Sequence, residues 1–397
     1  MLSHCCTVKP LPREIQTNAA MEKHQLSRSL FIFPALAGII IVLPLLGALI
    51  WRDEPLSYYL AFPPRLGGVE HAPFSWGVFI GLAVLILACL LPFIRRAVRT
   101  LRTGWDRGKK DKRGFPSWGY AGAALCAAAW VLAWNRFPWF AACRPYTFPF
   151  LWIGYVIVVN ALTFRRTGSC LLRERPGYFL ALFPASAVFW WFFEYLNRFV
   201  INWYYVQVDL FGPWGYVVYA SACFSTVLPA VLSTAELLGS FSFIKAAYGD
   251  FIPVRPAHPK ATAGTVLILV AASLFALGLF PNLLFPLLWV SPLLCLVSLQ
   301  TLAGREQVFS PLARGDWSRA VTLASAALVC GFFWEMWNYF SMPRWGYSIP
   351  FVHRFQIFEM PLLGYAGYLP FGLECGAVGD LLRTMVEPLG DGNEAGS

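Results

Sequence analysis

Residues 190–199 read WWFFEYLNRF and residues 332–340 read FFWEMWNYF. Laid so that Phe199 falls on Phe340, an offset of 141 residues (340 minus 199), Glu194 meets Glu335 and Asn197 meets Asn338. One inserted residue later Trp203 and Tyr205 fall on Trp345 and Tyr347, and Leu228-Pro229 then falls on Leu369-Pro370. Upstream, FPFLW at 148–152 falls on FPLLW at 285–289. Chance supplies one matched pair in a chain this aromatic, but not an ordered series, which reads as an internal duplication.

The sequence between the matches is apolar. The 397 residues are 58% hydrophobic and 13% charged, with a mean hydropathy of +0.57; a typical soluble domain is roughly 25% charged. With 17 Trp, 16 Tyr, 34 Phe and 29 Pro, this is the composition of a polytopic membrane protein, and it excludes the disordered, collagenous and disulfide-scaffold classes. Apolar segments of about 20 residues, enough to cross roughly 30 Å of hydrocarbon, fall at 30–51, 74–94, 117–134, 146–164, 178–199, 214–237, 263–281, 283–302, 319–340 and 360–382. The expected fold class is all-α, a transmembrane helical bundle of about ten spans.

The duplication divides that bundle. Residues 117–238 form one four-span unit and 263–382 the other, preceded by two transmembrane helices within 29–116 that flank a basic loop. An even number of spans returns each unit to the side it started from, so the units are expected to be a parallel repeat about an axis along the membrane normal. Residues 1–28 and 383–397 are expected to be cytoplasmic tails. The first apolar segment, at about 21 residues, exceeds a signal-peptide core and reads as an uncleaved anchor; Met21, just before its basic flank, is an alternative start.

The net charge of +10 raises the question of an anionic partner. Counted in alternate connections, roughly 24 of the 31 Lys and Arg lie on the side of the N-terminus and roughly 7 on the other, a positive-inside bias. The run from Arg95 to Arg113 argues for it more strongly than any other segment. The charge therefore reads as an orientation signal, with both termini cytoplasmic in a bacterial inner membrane, lipid as the expected partner and no nucleic acid. The 10 cysteines show no C-x-x-C spacing and read as small buried hydrophobes; His4, Cys5 and Cys6 make a poor metal site, and no metal is expected.

Ionisable residues inside spans cost about 2.5–3.5 kcal/mol each on insertion scales, so each needs a partner or a role. Glu194 and Glu335 both lie about 24 Å into their spans at 1.5 Å per residue. Asn197 and Asn338, three residues on, share their helix faces. Glu374, in GYLPFGLE of the last span, is the third; Glu236 is its nearest counterpart, one turn displaced. The candidate site has Glu194 and Glu335 as acid and base and Glu374 as a second proton donor, with Asn197, Asn338, Trp203, Tyr205, Trp345 and Tyr347 as substrate-binding groups. Glu70, His71, Asp209, His353, Arg354 and Glu359 of the connections are candidates to complete it. The same pattern also describes polar groups that tie helices together and an interfacial aromatic belt. Nucleotide-binding, zincin and hydrolase-elbow motifs are absent, as are the Asp-rich motifs of magnesium-dependent prenyltransferases, so no cofactor is expected.

A carboxylate-bearing span, a Trp-x-aromatic turn, then Pro and Glu on the next span resembles the tandem-repeat lycopene cyclases of the integral-membrane type. Here these are Glu335, Trp345, Tyr347, Pro370 and Glu374, with Glu194, Trp203, Tyr205 and Pro229 in the first half. The resemblance implies protonation of a polyene by intramembrane acids without an organic cofactor. The chain departs from that pattern in lacking adjacent Pro-x-Glu-Glu acids, in having Ser233 opposite Glu374, and in units of four spans rather than three. E-x-x-N, W-x-Y and EMPLLGY together resemble a bacterial multi-pass family that carries over no activity. Three functions stay open: cofactor-free acid–base chemistry on a lipophilic substrate, proton-coupled transport through the same carboxylates, and a non-catalytic membrane scaffold.

Overall fold

The computed structural model describes residues 32, 34–52, 54–62, 68–105 and 113–387. Met21, the His4–Cys5–Cys6 group, both tails apart from 383–387, and residues 106–112 of the basic run lie outside the described residues. In chain order the principal helices are α1 (Pro34–Trp51), α2 (Trp76–Thr103), α3 (Ser117–Trp134), α4 (Thr147–Thr167) and α5 (Pro176–Val200). There follow α6 (Pro213–Phe224), α7 (Val227–Gly239), α8 (Pro259–Leu279), α9 (Ser291–Leu302), α10 (Ser318–Tyr339) and α11 (Tyr368–Val386). Proline at the first helical position starts α5, α6 and α8, where its missing N–H costs nothing. Gly168, at φ +85°, ends α4.

Seven helical stretches are long and apolar enough to cross a membrane, α6 and α7 counting together as Pro213–Gly239, or eight if the pair Pro281–Trp289 and Ser291–Leu302, bent by 53°, is one span. The expectation of about ten counted two more helices that fall outside that group: α3 stands at 117–134 as expected, whereas α11 begins at Tyr368 and not at 360, because Met360–Pro361 is a strand and Leu362–Gly367 a 3-10 turn. α3 is built largely of Ala, Gly and Trp, and α11 carries Glu374, Asp380 and Arg383. Both are packed against neighbours by small residues. A Cβ on Gly154 of α4 would lie 2.7 Å from the Cys126 backbone nitrogen of α3, and one on Gly372 of α11 would strike the Leu323 carbonyl of α10. Such close backbone approach holds helices together where water supplies no hydrophobic drive.

The core runs through both halves of the chain. α7 packs on α10 and α5 on α11, while α3 pairs with α4 and α8 with α9. At the first of these contacts the Tyr155 hydroxyl of α4 meets the Thr234 hydroxyl of α7 at 2.9 Å and the Cys330 thiol of α10 at 3.8 Å. α2 lies at the periphery, held at one end by Phe93 against Tyr248, Phe251 and Trp317 and at the other by Phe79 against Phe355. Cys170, Cys295, Cys330 and Cys375 are buried as expected of small hydrophobes, but Cys89 and Cys143 are exposed.

Strands were not part of the all-α expectation. Two form just beyond α5 and α10: β1 (Trp203–Val206) and β2 (Arg344–Tyr347), paired antiparallel with Trp203 opposite Tyr347 and Tyr205 opposite Trp345. A second, two-residue pair joins β3 (Gln356–Ile357) to β4 (Met360–Pro361). The β1–β2 ribbon ties the end of α5 to the end of α10, at the ribbon end of the bundle.

Candidate functional site

The last turns of α5 and α10 position two buried carboxyls beneath the ribbon. Glu194 is 3% exposed and Glu335 0%, and an unpaired carboxyl at such depth is costly. Aromatic donors meet that cost. Glu194 Oε1 accepts from Trp190 Nε1 at 3.0 Å, Trp203 Nε1 at 3.0 Å and the Tyr205 hydroxyl at 2.5 Å. Glu335 Oε1 accepts from the Tyr347 hydroxyl at 2.7 Å and the Tyr368 hydroxyl at 2.8 Å, and Tyr347 in turn receives Trp345 Nε1 at 2.9 Å. Glu335 Oε2 is buried without a partner among the described residues.

The asparagines serve the turn that delivers those donors. Asn197 Nδ2 donates to the Trp203 carbonyl at 2.8 Å while its Oδ1 accepts the Asn202 N–H at 2.8 Å. Asn338 Nδ2 donates to the Trp345 carbonyl at 2.7 Å and its Oδ1 accepts the Trp345 N–H at 2.8 Å. Both carboxamides face strand backbone, where they fix the angle at which β1 and β2 leave their helices.

One pair of differences between the halves compensates. At the same offset of 141, Trp190 corresponds to Gly331 and Val227 to Tyr368. A Cβ on Gly331 would lie 2.4 Å from two carbons of the Tyr368 ring. In the first half the extra donor comes from the carboxylate's own helix through Trp190; in the second it comes from α11 through Tyr368, into space that Gly331 leaves open. Tyr368 was not among the residues expected from sequence, and the broken match at 190 and 331 is the signal that points to it.

Above the carboxyls lies a cavity of about 110 Å³. Its wall holds five tryptophans (190, 203, 289, 334 and 345), five tyrosines (205, 216, 219, 347 and 368), Phe148 and Phe224, with Arg344 as its sole charged side chain among the described residues. The two carboxyls do not line it. Tyr205 and Tyr347 do, and the hydroxyl of each is bonded to one of the carboxyls. Burial first, then the neighbouring carboxylate, pushes both phenols up from their ordinary pKa, so each stays a proton donor at neutral pH. A smaller cavity of about 30 Å³ is lined by Glu194 together with Asn197, Arg198, Trp203 and Tyr205.

The other candidates lie apart. Glu374 is 2% exposed on α11, six residues beyond Tyr368, with Oε2 unpartnered and Cys295 and Cys375 within electrostatic range; it lines neither cavity. Glu236 accepts the Leu171 N–H at 2.8 Å, at the end of the bundle away from the ribbon. His71 bonds Asn282 and the Ile201 carbonyl, Arg354 lies over the rings of Phe74, Trp76 and Phe355, and Glu70 and Asp209 are exposed. Glu359 pairs with Arg344 at 2.5 Å, and His353 faces Gln356. Among the described residues no three His, Cys, Asp or Glu side chains converge as metal ligands. Comparison with protein-family models, with curated proteins and with solved structures gave no match.

Proposed function

We propose that the aromatic cavity is a chamber for a lipophilic, isoprenoid or polyene-like molecule, and that the protein performs cofactor-free acid–base chemistry on it. The observation that carries this reading is the wall itself. Twelve rings line the space, and two of them, Tyr205 and Tyr347, are phenols bonded to buried carboxyls. Ring faces attract positive charge, so the chamber favours a cation made by protonating a double bond.

The roles follow from the bonding. Glu335, with one oxygen unpartnered, is assigned the acid, and Tyr347 relays. The Tyr347 hydroxyl, which donates to Glu335 Oε1 in the resting site, turns its O–H to the alkene; that bond breaks as a C–H bond forms, and the carboxyl proton of Glu335, carried on Oε1 in that state, restores the phenol. Glu194, whose Oε1 already accepts three donors, is assigned the base, taking a proton from a neighbouring carbon of the cation through Tyr205. One proton enters and one leaves, so the product is an isomer of the substrate. The duplicated halves contribute one proton-handling pair each, in keeping with a parallel repeat in a bacterial inner membrane, both termini cytoplasmic.

The test is solvent deuterium. Purified protein is incubated in heavy water with its co-purifying lipids, and these are analysed by mass spectrometry. An unsaturated isoprenoid should gain deuterium with the native chain and not with Glu335→Gln; no labelling of any apolar lipid by the native chain would sink the proposal. The second cavity favours one other reading. Because Glu194 borders that space and Tyr205 lines both, a proton-coupled carrier would have access from two sides. Proton-driven uptake into vesicles containing the protein, abolished by Glu194→Gln, would support the carrier instead.

A further inference from the structure

The segment that joins α10 to β2 gathers three arginines at the rim of the aromatic chamber. Arg136 donates to the Phe340 carbonyl at 2.8 Å and to the Ala133 carbonyl at 3.0 Å. Arg144 directs Nη1 to the Met342 sulfur at 3.9 Å, and its Nε is buried without a partner. Arg344 lines the cavity.

Their charges are unequally balanced. Arg344 pairs with Glu359, but among the described residues neither Arg136 nor Arg144 has a carboxylate within ion-pair distance. Burial, and then the charge of Arg144, lowers the pKa of Arg136, a juxtaposition of like charges that an anion would relieve. The connections at this end hold only roughly 7 of the 31 basic residues, and basic residues are scarce on the outer side of membrane proteins. Three of those few converge here.

The rim is continuous with the chamber. Arg144 opens the short turn Arg144–Tyr146 that runs into α4, whose Phe148 lines the cavity and meets the Trp345 ring at 5.5 Å. Tyr146 meets Tyr219, another wall residue, at 5.8 Å.

We propose that chamber and rim form one elongated site for a prenyl phosphate, its unsaturated tail among the rings and its phosphate on Arg136 and Arg144 beside Arg344. Guanidinium forks match phosphate oxygens two at a time, and Arg144 still has a donor to give. The assignment rests on the chamber being an isoprenoid site and adds the head group to it.

The test measures binding of radiolabelled farnesyl phosphate and of farnesol to the full chain in zwitterionic nanodiscs. Farnesyl phosphate should bind about tenfold or more tightly than farnesol, the effect of one or two charge-assisted bonds. The double variant Arg136→Gln/Arg144→Gln should bring it down to the farnesol level while farnesol binding, which also reports an intact fold, is unchanged. Neither inorganic phosphate nor phosphatidylglycerol should displace it at equal concentration.

If farnesyl phosphate binds no better than farnesol, or the double variant leaves its affinity intact, the head-group assignment is wrong and the isoprenoid chamber stands. Displacement by phosphatidylglycerol would give the rim to a bilayer lipid, and displacement by inorganic phosphate would separate rim from chamber; either overturns the proposal. If neither prenyl compound binds, the chamber reading itself fails.

Discussion

At the scale of single residues, the two carboxyls act through what they accept. Glu194 Oε1 holds three donors in place, two indoles and a phenol. Glu194→Gln keeps an oxygen of the same reach, whereas Glu194→Leu leaves all three donors buried and unpaired, at about 1–3 kcal/mol each. In detergent, the Leu variant is therefore expected to unfold at a markedly lower temperature than the Gln variant, and both are expected to lose deuterium transfer. Equal melting temperatures would show that the donors find other partners. The exchange between Trp190 with Val227 and Gly331 with Tyr368 offers a sharper check. Gly331→Trp alone drives an indole into the Tyr368 ring, overpacking that costs about 1–3 kcal/mol or more. Gly331→Trp with Tyr368→Val rebuilds the first-half arrangement in the second, so the double variant should melt above the single one. A double variant that melts below Gly331→Trp would mean that the two positions do not compensate.

At the scale of elements, the helix-to-strand turns carry the site, and each depends on one asparagine. Asn197→Ala or Asn338→Ala removes a side-chain donor and an acceptor from strand backbone, a loss of about 1–3 kcal/mol. Hydrogen exchange should then accelerate in residues 202–206 and 344–347 together, because each strand's partner is the other. Acceleration in one strand alone would count against the ribbon as a unit. These turns also explain what was legible beforehand. The helices could be read from apolar length, and the recurrence of Glu, Asn, Trp and Tyr pointed to the residues that surround the carboxyls. The ribbon could not be read, since four residues of alternating aromatic character are too short to be told from an interfacial belt. Nor could the chamber: Phe148 and Trp289 were visible only as matched positions, and their meeting with Trp190, Tyr205 and Tyr368 depends on how α4, α5, α9 and α11 pack. Glu374, singled out for its depth in a span, lines neither cavity, since burial alone does not bring a residue to a cavity wall.

At the scale of the whole molecule, orientation and mobility decide which function the carboxyls can serve. Under the positive-inside reading, Asp209→Cys at the ribbon end should react with an impermeant maleimide in intact cells, and Ala257→Cys, in the connection between α7 and α8, only after permeabilisation. Both positions are exposed; the reverse pattern would invert the topology. Mobility can be tested at the ribbon. Tyr204 stands opposite Gly346, and a pair in that register brings its Cα atoms to about 4.5–5.5 Å, within disulfide range. Tyr204→Cys/Gly346→Cys, in a chain whose exposed Cys89 and Cys143 are replaced, should oxidise so that halves cut at a protease site introduced after Pro256 stay joined until reduced. Joined halves would establish the register, and fragments that separate without reductant would refute it. The lock then divides the two readings of the carboxyls. A carrier must move one half against the other around Glu194 and Glu335, so clamping the ribbon should stop uptake and reduction should restore it. An enzyme chamber that is already assembled needs no such movement, and its deuterium transfer should persist in the oxidised chain.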